Sequence, residues 1–186
     1  MKGYYLKITV KYTRPKMWRE VIVTENTTFY QLHKIIQTIM HLADYHMYLF
    51  RVHDTKMLIS ELEHGAFDMW EGYLKYESKE TLIGEYFEKY GKMFYWYDFG
   101  DDWEFDIELR EIIDDYDKSY PTLKRHRGKY NLLEDCRAVG GWSEGVEILE
   151  NPDKEVETYG FEWTADYITE YNKEHVQETL KNMFDG

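Results

Sequence analysis

Residues 95–109 read Tyr95-Trp96-Tyr97-Asp98-Phe99-Gly100-Asp101-Asp102-Trp103-Glu104-Phe105-Asp106-Ile107-Glu108-Leu109. An aromatic run meets an acidic, glycine-containing turn and then a strict alternation. Trp103, Phe105, Ile107 and Leu109 fall on one side; Glu104, Asp106, Glu108 and Arg110 fall on the other. A period of two marks a strand with one buried and one wet face. Asp98 and Asp101 suit the turn because short carboxylate side chains bond their own backbone. The stretch predicts two central strands, 93–99 and 103–113, with Trp103 in the core.

Towards the N-terminus, Leu6, Ile8 and Val10 alternate with Lys7, Thr9 and Lys11, which predicts a strand over 4–12. Thr13-Arg14-Pro15-Lys16 supplies a turn, and 17–24 returns as a second strand. Thr28 and Gln31 have capping-box spacing, and Phe29, Leu32, Ile35, Ile36, Ile39 and Met40 follow at helical spacing. A helix is predicted over about 28–42, then a strand at 46–52. Hairpin, helix, strand is a β-grasp-like opening. Residues 54–80 read as a loop with one short strand near 73–77. Leu82 to Tyr90 makes a short helix that Gly91 ends.

Towards the C-terminus, residues 114–141 look irregular. Ser143 is placed to cap a short helix before Asn151-Pro152, and Val176, Leu180, Met183 and Phe184 space a final helix. The prediction is one α+β domain over 1–186 with a mostly antiparallel sheet. A β-grasp-like part takes 1–54; the acidic hairpin and C-terminal helices take 55–186.

Composition narrows the function classes. The chain has 186 residues, 43% hydrophobic and 18% aromatic, enough for a core without staples. Its lone Cys136 excludes an intrachain disulfide and a multi-cysteine zinc site, in keeping with a reducing cytoplasm. No apolar run is long enough for a membrane span, and no signal-type segment opens the chain. The net charge is −13, but residues 1–54 carry 8 Lys and Arg against 4 acids. Such an acidic chain repels a nucleic-acid backbone, and its only candidate basic face is Lys11, Arg14, Lys16 and Arg19.

Ten acids lie between Asp98 and Asp117 with Arg110 as the one base. Oxygen donors from Asp98, Asp101 and Asp102 could meet Glu134 and Asp135 around a divalent cation, or carboxylates could share a proton for acid–base work. The competing reading is a self-bonded turn beside a solvated strand face, and the spacing is not that of an EF-hand loop. His33, His41, His46, His53 and His64 lack the spacing that puts two ligands on one helical face, so buried or capping roles are expected. Cys136 beside Arg137 is either a reactive thiol or a small packing residue. Gly140-Gly141-Trp142-Ser143 is either an anion-binding loop before a helix or a turn that packs Trp142.

Several ordered segments carry a family resemblance. These are Arg14-Pro15-Lys16-Met17-Trp18-Arg19, Leu32-His33-Lys34-Ile35-Ile36-Gln37, His46-Met47-Tyr48-Leu49-Phe50, Tyr97-Asp98-Phe99-Gly100-Asp101-Asp102-Trp103, Tyr120-Pro121, and Glu134-Asp135 with Gly140-Gly141. In these the chain resembles the plasmid pRiA4b ORF-3-like family through most of its length. The resemblance implies a shared fold. Some relatives carry insertion-element passenger or resolvase-type labels, which would imply a DNA-associated accessory role. Phe105, Thr122 and Leu132-Leu133 depart from the family pattern at positions where relatives often have His, Cys and Pro-Pro.

The expected function is a non-enzymatic intracellular binding or interaction module with a protein or small-molecule ligand. An aromatic cleft near Trp96, Trp103 and Trp142, with Asp98, Glu134 and Asp135, would form its site. A metal-assisted hydrolase built on Asp98, Asp101, Asp102, Glu134 and Asp135 is the enzymatic alternative.

Overall fold

Residue-by-residue pleating and capping explain most of the elements. The structure is a computed structural model that describes residues 1–67, 70–153 and 155–184; the side chain of His64 also lies outside the described residues. Strands β1 (Gly3–Val10) and β2 (Trp18–Thr24) form the opening hairpin. Helix α1 (Phe29–Met40) starts at Thr28, whose side chain and that of Gln31 complete the capping box, and ends at His41 in the left-handed conformation. Strands β3 (Tyr48–Val52), β4 (Met57–Ser60) and β5 (Leu74–Glu77) follow, then α2 (Gly84–Tyr90). The central strands are β6 (Lys92–Tyr97) and β7 (Trp103–Ile113). Strand β8 (Thr122–Arg127) and helices α3 (Ala138–Glu150) and α4 (Lys173–Phe184) complete the α+β chain.

Eight strands form one sheet in the order β5-β4-β3-β6-β7-β1-β2-β8. Every neighbouring pair is antiparallel except β4 with β5. The hairpin–helix–strand opening is present in element order. In the sheet, β6 and β7 stand between β3 and β1. One sheet face and α1 enclose the main core, with Trp103, Tyr95, Phe105, Leu6 and Ile8 fully buried. A smaller cluster of Leu49, Leu58 and Phe67, with Trp70, Tyr73 and Trp96 against it, forms separately. Among the described residues, no helix is long and apolar enough to cross a membrane.

Three expectations are corrected. Strand β8 lies inside the stretch read as irregular: its Lys124-Arg125-His126-Arg127 run is a charged sheet edge, which hides the alternation. Strand β4 lies in the stretch read as a loop. Helix α3 begins at Ala138, so Ser143 is interior and Gly140-Gly141 is helix rather than an anion-binding loop. A Cβ on Gly141 would fall 2.9 Å from the Phe161 ring and one on Gly145 2.2 Å from Thr164 Oγ1, so glycine here serves close packing.

Candidate functional site

Three chain segments meet at one end of β6: the α1–β3 connection, the 98–102 turn and the 131–137 connection. Tyr97, the last residue of β6, ties two of them. Its hydroxyl accepts the backbone N–H of Tyr45 at 3.0 Å and of His46 at 3.4 Å, and donates to Glu134. Burial and the neighbouring Glu134 carboxylate keep this phenol far above its ordinary pKa, so it stays a donor. The third segment is joined by Asp101, whose Oδ2 accepts the N–H groups of Arg137 at 2.8 Å and Ala138 at 3.2 Å. The anion at the start of α3 is thus the chain's own carboxylate.

This junction brings three ligand-type side chains together. His46 Nε2 lies 3.5 Å from Asp98 Oδ2 and 3.5 Å from Asp135 Oδ1, and the three donor atoms fall within 4.8 Å of one another. Asp98 is buried, His46 is half-buried and Asp135 is open to solvent. His46 Nε2 is shielded from solvent yet makes no hydrogen bond among the described residues. The segments are bent to achieve this. Asp44, Asp98, Asp102, Asp135, Arg137 and Ala138 all have positive φ, a conformation costly for L-residues and tolerated best by Asp and Asn.

A ring of hydrogen bonds holds the α1–β3 connection. The Asp44 N–H donates to Gln37 Oε1 at 3.0 Å, which fixes the Gln37 amide. Gln37 Nε2 then donates to the Tyr95 hydroxyl at 3.0 Å, so that hydroxyl donates to His33 Nδ1 at 2.7 Å. His33 Nε2–H closes the ring on Asp44 Oδ1 at 2.6 Å, and Lys34 takes Asp44 Oδ2. The ring is complete only with a neutral His33, and burial holds that imidazole below its ordinary 6.5. Beside the ring opens a cavity of about 530 Å³, lined by Tyr30, Lys34, Asp44, His46, Tyr48 and Glu61 among others.

The structure sorts the residues singled out from sequence. Asp98 and Asp135 converge; Asp101, Asp102 and Glu134 are spent elsewhere, on α3, on Trp96 Nε1 at 3.0 Å and on Tyr97. The three tryptophans form no common cleft. Trp96 packs in the smaller cluster, Trp103 is fully buried in the main core, and Trp142 is buried with Nε1 on the Asn131 carbonyl. Cys136 is buried and donates to Leu133 O, and burial pushes its thiol up to about 12, so it packs rather than reacts. Arg19 leaves the basic face: it is fully buried, bonds the carbonyls of Ile39, Arg127 and Tyr130, and stacks 3.8 Å over Tyr171. Lys11 pairs with Glu104, leaving Arg14 and Lys16 exposed. His46 was missed as a ligand because its partners come from segments far away in sequence.

The family profile described as "Plasmid pRiA4b ORF-3-like protein" matches residues 2–179. An uncharacterized protein, y4hQ, of Sinorhizobium fredii is 28% identical over 165 residues, covering 87% of this chain and 81% of that protein. The crystal structure of MM3350, a protein of unknown function from Methanosarcina mazei Go1, superposes with a TM-score of 0.73 at 28% identity. That likeness covers 95% of this chain and 96% of the other.

Proposed function

Since the chain belongs to the plasmid pRiA4b ORF-3-like family, and the two relatives above carry no assigned function, we propose a function from the site alone. The protein is a cytoplasmic binding module whose ligand site is a divalent cation held by His46, Asp98 and Asp135, His46 also lining the neighbouring cavity. The observation that carries this reading is His46 Nε2, shielded and unbonded between two carboxylates. Ligands about 2.0–2.2 Å from a tetrahedral ion stand roughly 3.3–3.6 Å apart, the spacing seen from the imidazole to each carboxylate. One imidazole with two carboxylates suits Zn²⁺ or Mn²⁺ better than Ca²⁺, which takes oxygen donors. Three protein donors leave room for a ligand or water, so metal-assisted hydrolysis on the same three residues is the second reading. A nucleic-acid role has less support, with two exposed basic residues left on the hairpin tip.

The test is calorimetric titration of Zn²⁺ and Mn²⁺ into chelator-treated protein, with native mass spectrometry for stoichiometry. One ion per chain is expected, lost in His46→Ala and Asp98→Asn and retained in Asp102→Asn. Binding that survives His46→Ala would discard the site. Ion-dependent cleavage of a nitrophenyl phosphate or ester, lost in the same variants, would move the second reading ahead.

A further inference from the structure

A second surface is built from other residues, on the segment that follows α3. Residues 159–168 cross the glycine face of α3 and are fastened there by named bonds. The buried Glu144 carboxylate accepts the N–H of Tyr159 at 2.7 Å and of Phe161 at 2.9 Å. Thr164 is fully buried and its hydroxyl donates to Gly141 O at 3.1 Å. Gly145 leaves the space that Thr164 and Ile168 fill. The backbone of this strap is therefore fixed, yet it presents Tyr159, Trp163 and Tyr167 at 74%, 40% and 65% exposure. Trp163 and Tyr167 meet edge to face at 5.9 Å. Large aromatics held outward on a rigid backbone are the anchors of protein interfaces, because little side-chain freedom remains to be lost on contact.

The charge around them selects the partner. No Lys or Arg occurs between Glu155 and Asn172, and Glu155, Glu157, Glu162, Asp166 and Glu170 are all exposed. Lys129 pairs with Glu170; among the described residues the other four carboxylates meet no Lys or Arg. Aromatic faces and carboxylates both attract cations, and guanidinium groups stack on the rings as well. A second copy of this chain, with a net charge of −13, would be repelled.

We propose that the Tyr159–Trp163–Tyr167 strap is a docking surface for a basic, arginine-rich segment of a partner protein. None of the surface's residues is a donor of the cation site. Its test is fluorescence anisotropy of a fluorescein-labelled nine-arginine peptide at about 0.15 M NaCl, where free charges are screened beyond roughly 8 Å. Wild-type protein binds. Trp163→Ala with Tyr167→Ala weakens binding about tenfold or more, from the loss of two cation–π partners. Glu162→Gln with Asp166→Asn, which leaves the aromatics in place, also weakens it. Asp114→Asn, Asp115→Asn and Asp117→Asn together, removing as exposed a set of charges after β7, change it less than about twofold. Absence of binding, or equal loss in the Asp114/Asp115/Asp117 variant, would overturn the proposal. So would a wild-type dimer in sedimentation that the aromatic variant dissolves, since the surface would then belong to a second copy.

Discussion

Among single side chains, His33 has the most exposed consequence in solution although it is itself buried. Its ring through Tyr95, Gln37 and Asp44 needs the neutral imidazole, and burial lowers its pKa from 6.5. Between the folded value and 6.5 the unfolded chain binds the extra proton, so stability is complete above pH 6.5 and falls as pH drops below it. His126 is lowered by burial and by Arg19, and adds to the same slope. Denaturant melts between about pH 5 and 7.5 should show this decline, and His33→Gln should flatten it; an unchanged slope would remove His33 from the account. Trp103, fully buried, should cost roughly 3–5 kcal/mol when changed to Ala in the same melts. Trp103 was legible as core from its place in the β7 alternation. Arg19 carried the same signal, since it shares a pleat face with Val21 and Val23, but its charge reads as surface unless register is weighed first. Asp98 and Asp135 were legible as candidates. Their partner His46 was not, because no local spacing links residues that only the sheet order brings together.

For elements, α3 gives the sharpest contrast. A Cβ at Gly140 meets nothing within 4 Å, whereas one at Gly145 meets Thr164 and Ile168. Gly140→Ala should therefore stabilise by about 0.5–1 kcal/mol, as for an open helix position. Gly145→Ala should destabilise by about 1–3 kcal/mol through overpacking. Thermal melts of the two variants moving in the same direction would contradict the packing of the 159–168 strap on this helix. The glycines are also why α3 was misread: helix propensity is scored along the chain, while the reason for glycine lies across from it. By contrast α1 and β7 were legible because their caps and alternation are local. Strand β4 has four residues and β8 is a charged edge, so neither carries a complete local pattern.

For the whole molecule, charge and topology set separate conditions. With 32 acids against 15 bases beyond residue 54, self-repulsion opposes compaction. Raising NaCl from about 0.01 to 0.15 M should raise the melting temperature by screening it. A fall would mean that specific pairs such as Lys11–Glu104 and Arg125–Glu20 outweigh the net field. Topology matters earlier in the life of the chain. Strand β1 lies between β2 and β7, and the apolar residues of α1 pack on that same sheet. On the ribosome the N-terminal hairpin and helix emerge while Trp103–Ile113 has still to be translated. At roughly 5–20 residues per second that interval lasts on the order of ten seconds. Throughout it the nascent hairpin offers an open strand edge to neighbouring polypeptides, a pairing template that exists only during synthesis.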